Sequence, residues 1–202
     1  MIKRKSELHL FFPTPVWTSK IDHYAKVNKK IYDYILKQKK LDPAGIKRSN
    51  HKGWHSKDFD LKNNASIFFI NSISSSLNEA LTDMQWDLKN QTIKITSMWA
   101  IINNKEALNE RHIHGNNFIS AAYYVKAPTN CGDIVFYDPR SAPSFSKPQS
   151  IGSNKLNANY QSIAPQEGLL VLFPSYLHHS VEVNKSNDER IVISFNINLI
   201  NS

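Results

Sequence analysis

A second cysteine is missing from this chain. Cys131 stands alone among 202 residues, so no internal disulfide can form, and that fits a reducing compartment. Long apolar runs are missing too: no stretch reaches eighteen residues. The start Met1-Ile2-Lys3-Arg4-Lys5-Ser6-Glu7 leads into only a few apolar positions before Pro13, matching neither a signal peptide nor a membrane anchor. No internal repeat is visible. What remains is the size of one domain, and 41% hydrophobic residues are enough for a sizeable core. The expectation is one soluble, cytoplasmic domain over residues 1–202, with no membrane partner.

Acidic residues are scarce at the front. Residues 1–60 hold 14 Lys and Arg against 6 Asp and Glu, whereas residues 61–202 hold 11 of each, so the net charge of +8 is confined to the first 60. A patch for nucleic acid or another polyanion is one reading. The other makes Lys26, Lys29, Lys30, Lys37, Lys39 and Lys40 the solvated face of a helix. The second is preferred, because no aromatic platform or nucleic-acid motif accompanies the lysines.

Periodicity divides the chain. Val27, Ile31, Tyr34 and Ile35 predict a helix over about 24–40, capped by Asp22 and ended by Asp42-Pro43. Ile67, Ile70, Ile73, Leu77, Leu81 and Met84 predict another over about 64–85. From residue 92 the period becomes two, with strands expected near 92–102, 118–126, 133–137, 168–173, 179–183 and 190–198. Six short strands imply a sandwich or barrel, with residues 1–90 as helical cover and 91–202 as core. Ser141 to Tyr160 is an aperiodic loop long enough to serve as a lid.

His112 and His114 lie two apart, a spacing that in extended backbone points both rings to one face. His179 follows an apolar strand that can return it to that pair. Three neutral imidazoles suit iron, zinc, copper or nickel, so the donors alone do not name the metal. Arg190 opens a strand on which Arg190, Val192, Ser194 and Asn196 share one face and Ile191, Ile193, Phe195 and Ile197 the other. Facing a cavity, it can hold a carboxylate; facing solvent, it pairs with Asp188 or Glu189. Tyr124, which shares a face with Ser120 and Ala122, is either a second anion contact or a packed aromatic.

The order His112-Ile113-His114, Tyr123-Tyr124, Gly132-Asp133-Ile134-Val135-Phe136-Tyr137-Asp138-Pro139-Arg140, Leu172-Phe173-Pro174 through His178-His179, and Arg190 to Asn196 resembles the 2-oxoglutarate- and Fe(II)-dependent oxygenases. It is most similar to a small bacterial and phage group whose members also begin with a segment like Leu10-Phe11-Phe12-Pro13-Thr14-Pro15-Val16-Trp17. The resemblance implies a mainly β fold with N-terminal helices around a double-stranded β-helix, the jelly-roll or cupin-like core. It implies Fe(II) and 2-oxoglutarate as cofactor and cosubstrate, dioxygen as co-reactant, and a hydroxylase acting on an unidentified small molecule or side chain. His112 and His179 match the family's two histidines, and Arg190, with Tyr124 or Ser194, its carboxylate anchor. His114 stands where the wider superfamily has Asp or Glu. Either it completes a three-histidine site, or His112 and His179 hold the metal with water in the third place. His178 is assigned to the surface or to a supporting role, and His51 and His55 lie outside the motif. Asp138 and Arg140 are substrate candidates at the base of the lid, or simply a turn and ion pair. A phage-encoded chain would act in the host cytoplasm, and a homodimer is compatible with all of this. Two other functions fit the same residues: a cupin-like three-histidine enzyme without 2-oxoglutarate, and a non-enzymatic β-sandwich contacting a polyanion.

Overall fold

The computed structural model describes residues 6–141 and 148–201. The first five residues of the basic start and residues 142–147 of the Ser141–Tyr160 loop lie outside the described residues. Helix α1 spans Tyr24–Leu41 and buries Val27, Ile31 and Ile35, as their spacing predicts. Asp22 is not its cap. A cap needs extended backbone directly before the first turn, and that place is taken by His23, which is left-handed (φ 51°) and makes no side-chain cap bond. The exposed Lys26, Lys29, Lys30, Lys37 and Lys40 do form a solvated face, and Lys39 pairs with Glu189.

Helix α2, Asn64–Asp83, is capped by Asn63, whose side chain accepts from the Ala65 amide. Its buried stripe is rotated from the expected one. Phe69, Ile73, Leu77, Ala80 and Leu81 are inside while Ile67 is 43% exposed, because Phe69 is the larger anchor and packs edge-on against Tyr123 and Phe195. Among the described residues no helix is long and apolar enough to cross a membrane.

Among the described residues, eleven strands form two antiparallel sheets. In chain order they are β1 Trp17–Lys20, β2 Asn50–His51, β3 Trp54–His55, β4 Gln91–Asn103, β5 Leu108–His112, β6 Ile119–Lys126, β7 Ile134–Tyr137, β8 Tyr160–Ile163, β9 Leu169–Pro174, β10 His179–Val181 and β11 Arg190–Asn201. The major sheet runs β1-β9-β6-β11-β4-β3 and the minor sheet β2-β5-β10-β7-β8. This is a double-stranded β-helix. The six strands expected from alternation are all present. The other five are two to five residues long, and stretches such as Leu108-Asn109-Glu110-Arg111-His112 carry no apolar alternation, so long-range pairing alone makes them strands.

Alternation assigns the two faces of the major sheet. Ile191, Ile193, Phe195 and Ile197 of β11, with Ile119, Ala121, Tyr123 and Val125 of β6, join the helices in one core. Their neighbours Val192, Ala122 and Tyr124 turn to the other side, where they pack with Ile134, Phe136, Val171 and Phe173. Between the sheets lies a cavity of about 900 Å³.

Candidate metal centre

Strand register builds the site. In the minor sheet β10 lies between β5 and β7, and its register puts His179 directly opposite His112. His114 follows the end of β5, where its backbone N–H donates to Ser175 O at 3.0 Å, tying it to the β9–β10 connection. The imidazoles converge: ring centroids are 4.3 Å apart for His112 and His179, 5.0 Å for His114 and His179, and 5.2 Å for His112 and His114. One ligand nitrogen from each lies within 4.8 Å of the others.

Each ring has one nitrogen already engaged. His112 Nδ1 donates to Glu110 O at 2.6 Å, His179 Nδ1 to Leu177 O at 2.9 Å, and His114 Nδ1 to Asn196 Oδ1 at 2.7 Å. A carbonyl oxygen only accepts, so each Nδ1 carries the proton and each Nε2 presents a lone pair, which at His112 accepts from Ser49 Oγ at a long 3.4 Å. Burial, reinforced by the neighbouring rings, pushes His114 down to about 4 and His179 down to about 3, and it lowers His112 as well. Neutral imidazoles are the state a metal requires.

Arg190 lies on the same cavity wall, only 2% exposed. Its NH1 donates to Gly132 O at 3.3 Å, and its guanidinium carbon lies 5.9 Å from the Tyr124 ring centre. Gly132 has φ 87°, and a Cβ there would strike the Glu182 carbonyl, so only glycine can bring this carbonyl to the arginine. No carboxylate among the described residues forms an ion pair with Arg190, and its Nε is a buried donor without a partner. Asp188 and Glu189, the alternative partners, pair with Lys126 and Lys39 instead. A buried, uncompensated cation is costly, and an anionic ligand relieves that cost. Burial raises Tyr124 to about 12, so it remains a phenol with a proton to donate.

A family model described as "Putative 2OG-Fe(II) oxygenase" matches residues 97–196, the stretch that holds all three histidines, Tyr124 and Arg190. The chain belongs to the 2-oxoglutarate- and Fe(II)-dependent oxygenases. Solved structures agree in fold. A Pseudomonas putida prolyl-4-hydroxylase superposes with a TM-score of 0.64 at 12% identity, over 91% of this chain and 92% of its own. A Trichoplax adhaerens prolyl hydroxylase in complex with a hypoxia-inducible-factor peptide gives 0.62 at 14%, over 90% and 82%. HygX from Streptomyces hygroscopicus, with nickel, 2-oxoglutarate and hygromycin B bound, gives 0.59 at 10%, over 91% and 82%. No curated protein matches the sequence.

The oxygenase uses Fe(II) and 2-oxoglutarate, and both fit the residues present. Three Nε2 lone pairs are a suitable donor set for Fe(II), and a buried guanidinium without a counter-ion suits a carboxylate. Ser194 lines the same cavity. His178 is exposed and is not a member of the cluster to which its buried neighbour His179 belongs. Asp138 and Arg140 do not line the cavity; they pair with each other at 2.9 Å, since a turn two residues long puts carboxylate and guanidinium within reach.

Two contributors escaped sequence reasoning. His55, on edge strand β3, is buried, lines the cavity of the oxygenase and stacks on Trp99 at 5.6 Å. Its only signal was alternation with Trp54, which packs into the helical core. Asn196 appeared as one polar member of a strand face; its bond to His114 depends on a strand 82 residues away.

Proposed function

We propose that this oxygenase holds Fe(II) through Nε2 of His112, His114 and His179, and the far carboxylate of 2-oxoglutarate through Arg190, Tyr124 and Ser194. The reaction we assign is hydroxylation of a substrate carbon. The observation that carries this reading is the pairing of three convergent, neutral imidazoles with a buried guanidinium that lacks a counter-ion in one cavity. Bound there, iron and cosubstrate supply oxidative decarboxylation coupled to substrate oxidation.

The chain's own residues bind and orient. Arg190 neutralises the carboxylate and donates through its planar fork, while Tyr124 adds a hydroxyl donor from the neighbouring β6 and Ser194 one from the same strand, β11. Phe173, Val192 and Ile134 provide apolar walls that keep water from the anion. The cavity, at about 900 Å³, leaves ample room for a substrate beside 2-oxoglutarate. We read residues 1–202 as one oxygenase domain, with 1–90 as its cover and 91–202 as its core.

The test uses protein purified without oxygen. Fe(II) plus 2-oxoglutarate should produce a metal-to-ligand charge-transfer band, and admitting air should release succinate. Arg190→Met, which retains much of the side-chain volume, should weaken 2-oxoglutarate binding at least about 30-fold, the effect of removing one partner of a buried charge pair. Metal retention without the band or succinate would favour the cosubstrate-free three-histidine enzyme and overturn the proposal.

A further inference from the structure

His112 and His179 have their Nδ1 protons fixed locally, by carbonyls two residues before them in the chain. His114 has no such carbonyl. Its acceptor is the Asn196 side chain, brought from β11, and that amide sits inside a small polar network. Asn196 Oδ1 also accepts from Ser120 Oγ at 2.8 Å, and its Nδ2 donates to Ser97 Oγ at 3.0 Å. Ser120 Oγ lies 2.7 Å from Ser175 Oγ, and Ser175 O holds the His114 amide, so the ring and backbone of one residue are tied into a single circuit.

Proton bookkeeping links the two side chains. With Oδ1 toward the ring, His114 must carry its proton on Nδ1 and presents an Nε2 lone pair to the cluster. With the amide reversed, Nδ2 would face the ring, the proton would move to Nε2, and His114 could not bind a metal through that nitrogen. A carboxylate in place of His114 would need no such partner, because its oxygens are donor atoms to a metal in any orientation. An imidazole does need one.

We propose that Asn196 is the positioning residue that commits His114 to the metal, and that the pair His114/Asn196 together replaces the carboxylate ligand. This rests on His114 being a ligand, as proposed above.

The experiment compares the full-length parent with Asn196→Ala, Asn196→Asp, Ser97→Ala and His114→Ala. Metal-free ¹⁵N-histidine NMR reads the tautomer of each ring, and titration with Co(II), a spectroscopic stand-in for Fe(II), reads affinity and coordination. In the parent His114 should be the Nδ1–H tautomer. Asn196→Ala should shift it toward Nε2–H and weaken Co(II) binding about 10- to 100-fold. Asn196→Asp, whose carboxylate also accepts the Nδ1 proton, should restore both to within about threefold of the parent. Ser97→Ala removes the bond that orients the amide and should move both readouts in the same direction as Asn196→Ala, by less; it serves if Asn196→Ala does not fold. An unchanged tautomer and affinity in Asn196→Ala, beside a loss in His114→Ala, overturns the role of Asn196 alone. Unchanged affinity in His114→Ala overturns the three-histidine assignment itself.

Discussion

At the residue scale, the site is built from groups held in states they would not choose in water. Burial lowers His179 from the ordinary 6.5 to about 3, so below pH 6.5 the unfolded chain takes up a proton that the folded one refuses. Stability from this residue is therefore complete above pH 6.5 and is lost as pH falls toward 3. Between pH 6.5 and 5 it amounts to about 2 kcal/mol. Urea unfolding of metal-free protein at pH 7 and pH 5 should show that loss, with His179→Gln flattening the slope. An unchanged slope would mean His179 is not the group responsible. Arg190 cannot escape by losing its proton as the histidines do: without a carboxylate its buried charge is a liability to the fold, which is why its burial reads as a binding feature.

At the element scale, β11 does two jobs through one alternation. Phe195 is fully buried between the sheet and α2, where it meets Phe69, whereas Ser194, one position earlier, faces the cavity. Phe195→Ala should destabilise the fold by about 3–5 kcal/mol. Ser194→Ala should stay within about 1.5 kcal/mol, the ordinary net contribution of a hydrogen-bonding group, both read from urea midpoints. Comparable losses at the two positions would contradict the division of faces. This alternation was legible in the sequence because the apolar Ile191, Ile193, Phe195 and Ile197 of β11 recur every second place against Arg190, Ser194 and Asn196, and Ile119, Tyr123 and Val125 of β6 keep the same period. Strands β2, β3 and β5 were not legible. Their residues are polar or mixed, and only partners far along the chain supply their hydrogen bonds. The N-terminus of α1 was misread for a related reason: Asp22 is a good capping residue by type, yet the backbone at His23 leaves no place for it.

At the scale of the whole molecule, the major sheet is shared by two packed layers: the helices cover one of its faces, and the minor sheet packs against the other beside the cavity. Residues from both the first and second halves of the chain meet in the helical core, among them Ile31, Phe69, Tyr123 and Phe195. Calorimetry should therefore show a single cooperative transition, raised by Fe(II) and 2-oxoglutarate and returned by chelation, with about 2.7 kcal/mol gained at a hundredfold excess over Kd. Two separable transitions would divide cover from core and defeat the one-domain reading. The sequence by itself determined the donor types, their order and the face each residue of β6 and β11 takes, since these follow from residue chemistry and a period of two. Which nitrogens are free, whether Arg190 has a counter-ion and what holds His114 were decided only by the tertiary structure. Each depends on groups from separate strands, such as Asn196 at His114, and strand register alone sets those distances.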